Sequence, residues 1–280
     1  MNSVEAVGRE RLINRHSLVV RISHWLNAIC LLVLLMSGLQ IFNAHPALYW
    51  GNKSNFDAPW LAMASEDSPK GESVGTTTIA GHRFNTTGVL GVSIDKSGTV
   101  SSRGFPSWAT LPSHQDLATA RRWHFFFAWV FVVNGLVYII HCVVGGHARR
   151  DLVPSRNDLR TIGHSIGEHI RLKFPHGQAA IHYNVLQKLS YVLVAFVILP
   201  LLVLAGLTMS PGLDAAFPSL LTVFNGRQSA RSIHFLAAAA IVLFVLIHII
   251  MVLLSGVWNN VRSMITGRYD IGPEEHADGT

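Results

Sequence analysis

Apolar residues in this chain neither alternate nor recur only at every third or fourth place. They run on in four unbroken blocks: Ile22–Phe42, Trp123–Val144, Leu189–Met209 and Ser232–Leu254. None of the four contains Asp, Glu, Lys or Arg, and each has 21 to 23 residues. A helix rises ~1.5 Å per residue, so each block covers ~30 Å, the thickness of a bilayer's hydrocarbon core. The pattern predicts four membrane-spanning helices. Pro200 falls inside the third, where packed neighbours can satisfy the backbone group that the ring frees, so a kink is expected there rather than an end. The first block starts late, runs to 21 residues and lacks an A-x-A site. It reads as a span and not as a cleaved signal.

The polar stretches carry weaker patterns. Residues 43–122 are rich in Gly, Ser, Thr and Pro. Within them Thr76–Ala80, Val89–Ile94 and Thr99–Ser102 are short, β-prone and separated by Gly, which predicts a small hairpin or meander. Trp50, Phe56, Trp60, Phe105 and Trp108 are the candidates for its minor core. Such a loop serves equally as a cap on the helices or as a docking surface. In the connection 145–188, the stretch Asp158–Leu172 places Leu159, Ile162, Ile166 and Ile170 at helical spacing, as a helix lying along a membrane surface would. The expectation is one domain over residues 1–280: an all-α membrane protein, a four-helix bundle with a long, partly β-prone loop.

Composition agrees. Charged residues make up 14% of the chain, against roughly 25% in soluble domains. Two Cys cannot build a disulfide framework, and no C-x-x-C-H is present for covalent c-type haem. There is no CxxC pair for zinc or iron–sulfur binding, no Gly-rich phosphate loop and no G-x-S-x-G. The net charge of +6 invites nucleic acid as a partner, but its placement argues otherwise. Arg9, Arg11, Arg15 and Arg21 precede the first span, and Arg149, Arg150, Arg156, Arg160, Arg171, Lys173 and Lys188 fill the connection 145–188. Arg262 and Arg268 follow the last span, whereas the connection between spans three and four has only Arg227 and Arg231. Lys and Arg in short loops mark the cytoplasmic side. Both termini are therefore expected inside and the 43–122 loop outside, and the basic excess sets orientation with no call for nucleic acid.

Five His lie within spans: His24, His124, His141, His234 and His248. An ionisable group in lipid must be paired, neutral or bound, and a neutral imidazole ligates iron well. One lone His is best read as bonded to a neighbouring helix. Four of these are not lone. His234 and His248 are 14 residues apart, and at about 100° per residue both face one side of the fourth helix, ~21 Å apart along its axis. His124 enters from outside near the depth of His234. His24 and His248 stand ~27 Å and ~24 Å from the outer edge. The pairs His124–His234 and His24–His248 therefore match in depth, as bis-His ligation of two b haems in a four-helix bundle requires. His141 lies about 100° off the His124 face and lacks a spare partner, so a hydrogen bond or a quinone contact suits it better.

Three of the ligand candidates follow an Arg by three places: Arg21 before His24, Arg121 before His124 and Arg231 before His234. An i,i+3 pair shares a helix face, so Arg at the border can meet a haem propionate while His holds iron. The competing reading is an Arg that snorkels from a helix end. His147 and Arg150, with Arg149 and Asp151, offer proton-capable groups for a quinone near the inner pair, or else form a solvated positive-inside cluster.

On these residues the sequence resembles the bacterial cytochrome b561 / nickel-hydrogenase b-type cytochrome superfamily, in the branch of thiosulfate reductase cytochrome b subunits. The resemblance covers nearly the whole chain. It rests on R-I-S-H-W at Arg21–Trp25, P-A-L-Y-W-G at Pro46–Gly51, T-T-G-V-L-G-V-S at Thr86–Ser93 and R-R-W-H-F-F-F-A-W at Arg121–Trp129. It continues through G-H-A-R-R-D-L-V-P at Gly146–Pro154, Tyr183–Tyr191, L-T-M-S-P-G at Leu207–Gly212 and the His pair of span four. The resemblance implies a di-haem b subunit in the bacterial inner membrane. Such a subunit exchanges electrons between membrane quinone and a redox enzyme, usually a periplasmic molybdopterin oxidoreductase. It leaves His141 outside the ligand set. Two other classes compete: a stand-alone quinone-linked oxidase, such as a superoxide oxidase, and a transporter or haem-free scaffold. The last would show broken helices in repeated halves, and no inverted repeat is visible.

Overall fold

The computed structural model describes residues 12–69, 71–95, 98–145, 160, 162–170 and 185–271. Among these, four helices are long and apolar enough to cross a membrane: Leu18–Phe42, Leu117–Val144, Val185–Thr208 and Arg227–Leu254. They are the four expected spans, and all four begin earlier than hydropathy alone indicates, at Leu18, Leu117, Val185 and Arg227. Uninterrupted hydropathy stops at the first charge, but backbone hydrogen bonding does not. Leu117–Val144 starts where Asp116 accepts a hydrogen bond from the Thr119 N–H at 2.9 Å, an N-cap that satisfies one of the unpaired donors of the first turn.

The first span is α1 (Leu18–Phe42) and the second α2 (Leu117–Val144). A short α3 (Ile162–Ile170) occupies the stretch expected to be an amphipathic helix. The third span comprises α4 (Val185–Leu193), a π turn (Val194–Ile198) and α5 (Leu199–Thr208). Pro200 lies in the first turn of α5, and the helix continues through it. The π turn immediately upstream is a usual way of accommodating a residue that cannot donate into the ladder. After the short α6 (Pro211–Ala216) and α7 (Ser219–Val223) comes the fourth span, α8 (Arg227–Leu254), followed by α9 (Val257–Thr266). Side chains such as Ile29, Val133, Leu243 and Leu253 are more than half exposed along the spans, a surface that only lipid would cover. The protein is an integral membrane protein.

The chain packs as two compact units. The terminal unit holds Met1–Trp25, Gly135–Val197 and Ile241–Thr280; the loop unit holds Leu26–Asn134 and Ile198–Ala240. In the terminal unit, β1 (Leu12–Asn14) pairs antiparallel with β8 (Arg268–Asp270), and the Arg15 guanidinium lies 4.4 Å from the centre of the Tyr269 ring. The loop unit carries the β structure of the 43–122 segment. Its β2 (Ala47–Leu48), β3 (Leu61–Asp67), β4 (Ser73–Ile79) and β5 (His82–Asn85) form one antiparallel sheet in that order. A second hairpin joins β6 (Gly91–Ile94) to β7 (Val100–Arg103). The three expected strands thus overlap β4, β6 and β7 and overrun each by one or two residues, and β2, β3 and β5 complete the first sheet.

The core under this sheet differs from the expected one. Phe42, Leu48, Leu61 and Met63 are buried together, and Trp60, Leu90, Phe105 and Phe235 pack on them. Trp50, Phe56 and Trp108 are instead exposed. Trp50 only stacks on Trp60, with ring centres 5.9 Å apart. Residues of α1 and α8 take the places that these aromatics would have filled.

The loop is strapped to the first turns of α8. The Gly51 carbonyl accepts from the N–H groups of Gln228 and Ser229, which have no partner within the helix. Ser232 Oγ donates to the Tyr49 carbonyl at 2.6 Å and accepts from Trp60 Nε1 at 2.9 Å. Arg231 completes the strap by donating to the carbonyls of His45 and Ala47 at 2.5 and 3.1 Å.

Candidate functional site

Each unit brings one of the expected histidine pairs together. In the loop unit the His124 and His234 rings have centres 6.2 Å apart and planes 64° apart. In the terminal unit the centres of His24 and His248 are 6.3 Å apart and their planes 56°. All four rings are half-buried. Two imidazole nitrogens each about 2.0 Å from a shared metal, and about 1.1 Å from their own ring centres, put those centres about 6.2 Å apart. Both pairs meet that spacing. Among the described residues no three of His, Cys, Asp and Glu gather around either pair. The donor set is thus two imidazoles, which suits a metal that brings its other ligands in a macrocycle.

The loop-unit rings are tightly held. His124 Nδ1 lies 3.1 Å from Ser37 Oγ, and the Ser37 hydroxyl donates to the Val33 carbonyl at 2.6 Å. The hydroxyl proton is thus spent, and Oγ accepts from Nδ1–H. His234 Nδ1 lies 2.8 Å from the Leu202 carbonyl, which can only accept. Both rings therefore carry their proton on Nδ1 and leave the Nε2 lone pair for a ligand, the arrangement by which metal-binding imidazoles are oriented. Glycines make the close approach possible. A Cβ on Gly38 would stand 3.3 Å from His124 Cε1, and one on Gly206 would stand 3.1 Å from His234 Cε1. Gly206 is also four residues after Leu202, so the carbonyl that His234 uses is not shielded by a side chain one turn on.

The terminal-unit rings are held by packing. Phe244 stacks on His248 with centres 5.9 Å apart and planes 20° apart. Trp25 meets His24 edge-on at 5.2 Å and is itself anchored by Nε1 donating to the Met264 carbonyl at 3.0 Å. His24 Nδ1 is buried with no hydrogen-bond partner among the described residues. A buried imidazole nitrogen left in this way is the kind of atom that a bound group satisfies.

The arginines expected beside propionates have different surroundings. Arg21 donates to the Ile265 carbonyl at 2.6 Å, while its Nε is buried without a partner among the described residues. Arg121 is exposed, with its guanidinium 5.7 Å from the centre of the Phe125 ring. Arg231 serves the loop strap. His141 Nε2 is 3.2 Å from Ser17 Oγ, a hydrogen bond and so one of the two roles expected of it beside a quinone contact. His147 and Arg150 lie outside the described residues.

Ser37, Gly38, Leu202 and Gly206 escape sequence reasoning, as does a buried cluster around Arg103. The available signal is a shared pattern, L-x-x-x-G at Leu34–Gly38 and Leu202–Gly206, one on each helix that supports a loop-unit ring.

The prokaryotic cytochrome b561 family matches residues 73–267. A putative protein-methionine-sulfoxide reductase subunit YedZ1 from Azospira oryzae is 33% identical over 138 residues, which cover 49% of this chain and 67% of that protein. No solved structure matches. The family match takes in α2, α8 and the loop-unit pair, and together with four spans and paired imidazoles it identifies the chain as a member of the prokaryotic cytochrome b561 family, a b-type haem protein of membrane electron transfer.

Proposed function

We propose that the protein is a di-haem membrane subunit that passes electrons between membrane quinone and a periplasmic redox partner, a molybdopterin-type oxidoreductase. One observation carries this reading: two separate histidine pairs, in two separate units, stand at the same 6.2–6.3 Å spacing. His24 and His248 would hold one haem, and His124 and His234 the other. Bound there, b haem supplies one-electron chemistry. The chain's own residues fix axial ligation and local polarity. Ser37 and the Leu202 carbonyl hold the Nδ1 protons of one pair, and Arg21, Arg121 and Arg231 place positive charge near the helix borders.

The partner rests on two features. The relative in Azospira oryzae is described as a subunit of a reductase, and the 43–122 loop leaves Trp50, Phe56 and Trp108 exposed outside its strands. The charge distribution supports cytoplasmic termini in a bacterial inner membrane and a periplasmic loop. On that orientation His147 and Arg150 are the residues proposed for proton exchange with quinone on the inner side.

The test is quinol oxidation by the purified protein, with and without a periplasmic molybdopterin oxidoreductase from the same organism. Reduction of the partner only when this protein is present supports the reading. Turnover of superoxide with quinone and no partner would assign the protein to the stand-alone oxidases instead. Failure of quinol to reduce the haems would remove quinone from the account.

A further inference from the structure

Arg103 ends β7 and is 6% exposed. Its terminal nitrogens donate to three neutral acceptors: Gln40 Oε1 at 2.6 Å, Thr110 Oγ1 at 2.8 Å and the Ser113 carbonyl at 2.8 Å. Its Nε is buried with no hydrogen-bond partner among the described residues. Within those residues no carboxylate pairs with it. The acids that flank it in sequence are engaged elsewhere: Asp95 accepts from the Thr99 N–H, and Asp116 accepts from the Thr119 N–H at the start of α2 and lies 3.8 Å from His114. A guanidinium stays protonated even when buried, and a buried charge without an opposite charge is unfavourable in the way a broken buried ion pair is. Neutral acceptors offset only part of that cost.

The surroundings show where an opposite charge would come from. Gln40 presents Oε1 to Arg103 because its amide nitrogen is tied to the His114 carbonyl at 2.9 Å. Gln40 follows Ser37 by three residues on α1, so both lie on one face, about 4.5 Å apart along the axis. Ser37 is the residue bonded to His124. The segment that closes over Arg103 also lies along α1, with the Leu111 N–H donating to the Met36 carbonyl at 3.1 Å. Arg103 thus bonds to the residue one helical turn beyond the one that bonds His124, towards the loop end of α1. Arg231 has given two of its donors to the loop carbonyls, and Arg121 is exposed.

We propose that Arg103 is the propionate-binding residue of the loop-unit haem. This rests on the assignment of His124 and His234 to that haem. The buried guanidinium receives a haem carboxylate at its unpartnered edge. Gln40 and Thr110 aim it, and the loop thereby closes the site as well as capping the bundle. Arg103 touches only the cofactor's periphery, so its effect is on potential and retention.

The test is a redox titration of the purified full-length protein, with haem content measured on each sample. The loop-unit component is the one that disappears in His234→Ala. In Arg103→Gln that component's midpoint shifts downward, because loss of a nearby positive charge favours the more positive, oxidised iron. The terminal-unit component stays in place, and the resonance Raman propionate bending band changes. Arg103→Lys keeps the charge, so its midpoint lies closer to wild type than that of Arg103→Gln. Gln40→Leu removes a neutral acceptor that aims Arg103 but no charge, so its midpoint shift is smaller than that of Arg103→Gln. If Arg103→Gln fails to hold haem, the Lys variant decides: retained haem with a near-native midpoint supports the proposal, and loss of haem overturns it. Unchanged midpoints in Arg103→Gln, equal shifts in the Lys and Gln variants, or a Gln40→Leu shift as large as that of Arg103→Gln would also overturn it. A wild-type protein with fewer than two haem components would contradict the ligand assignment itself, which is a separate outcome.

Discussion

The two histidine pairs have nearly the same spacing but are held by different means. In the loop unit each Nδ1 has a fixed acceptor, Ser37 Oγ for His124 and the Leu202 carbonyl for His234, and a glycine lies under each ring. In the terminal unit the neighbours are rings, Trp25 and Phe244, and His24 Nδ1 has no partner among the described residues. Hydrogen bonds fix a tautomer and raise ligand basicity, whereas ring packing fixes only position. The teaching of the contrast is that equal spacing does not imply equal tuning. The loop-unit iron is expected to be held more firmly in its oxidised form and to have the lower potential before any effect of Arg103.

The largest effect that would break the comparison comes from the ligands. His234→Ala or His124→Ala is expected to remove one haem and leave the other, and His24→Ala or His248→Ala to do the reverse. Pyridine haemochromogen assays on the four variants check this; a single change that removes both haems, or neither, contradicts separate sites. Next comes Gly206→Val, which forces side-chain carbon against Cε1 and Nδ1 of His234. It is expected to empty the loop-unit site while the terminal-unit haem keeps its spectrum. Ser37→Ala is milder. It removes the hydroxyl that accepts from the His124 Nδ1–H, and loss of such a support for a ligating ring weakens metal binding about 10–100-fold. Haem transfer to an apo-globin acceptor measures it, with faster loss from the loop-unit site alone.

The smallest expected effect is on the loop strap. Burial, and then the Arg231 charge, hold the His45 imidazole below its ordinary value. The unfolded chain therefore takes up the proton more readily, so stability from this group rises with pH and is lost as pH falls through about 6.5. Limited proteolysis within 43–122 is expected to quicken at pH 5 relative to pH 7.5, and His45→Gln to flatten the difference.

The spans were legible because a membrane helix announces itself by unbroken apolar length. The pairing of His124 with His234, and of His24 with His248, was legible because helical rise and rotation are fixed. The start of α2 was less so, since its signal is the single capping Asp116 and not hydropathy. The supports of the site were hidden for a different reason. Leu202 acts through a carbonyl, which every residue has, and Gly206 acts through what it lacks. Arg231 stood out in the R-x-x-H pattern, yet its partners are backbone groups of a loop 180-odd residues earlier, and no local pattern records them. Trp50, Phe56 and Trp108 were misplaced because aromatic content alone does not tell a loop's core from its surface. The helices α1 and α8 supplied Phe42 and Phe235 to that core.

The central claim is that each unit holds its own bis-histidine haem. The most direct measurement is the number of b haems per chain in the purified wild-type protein, by pyridine haemochromogen against quantitative amino-acid analysis. Two haems per chain is the predicted result. One haem, or none, would contradict the account.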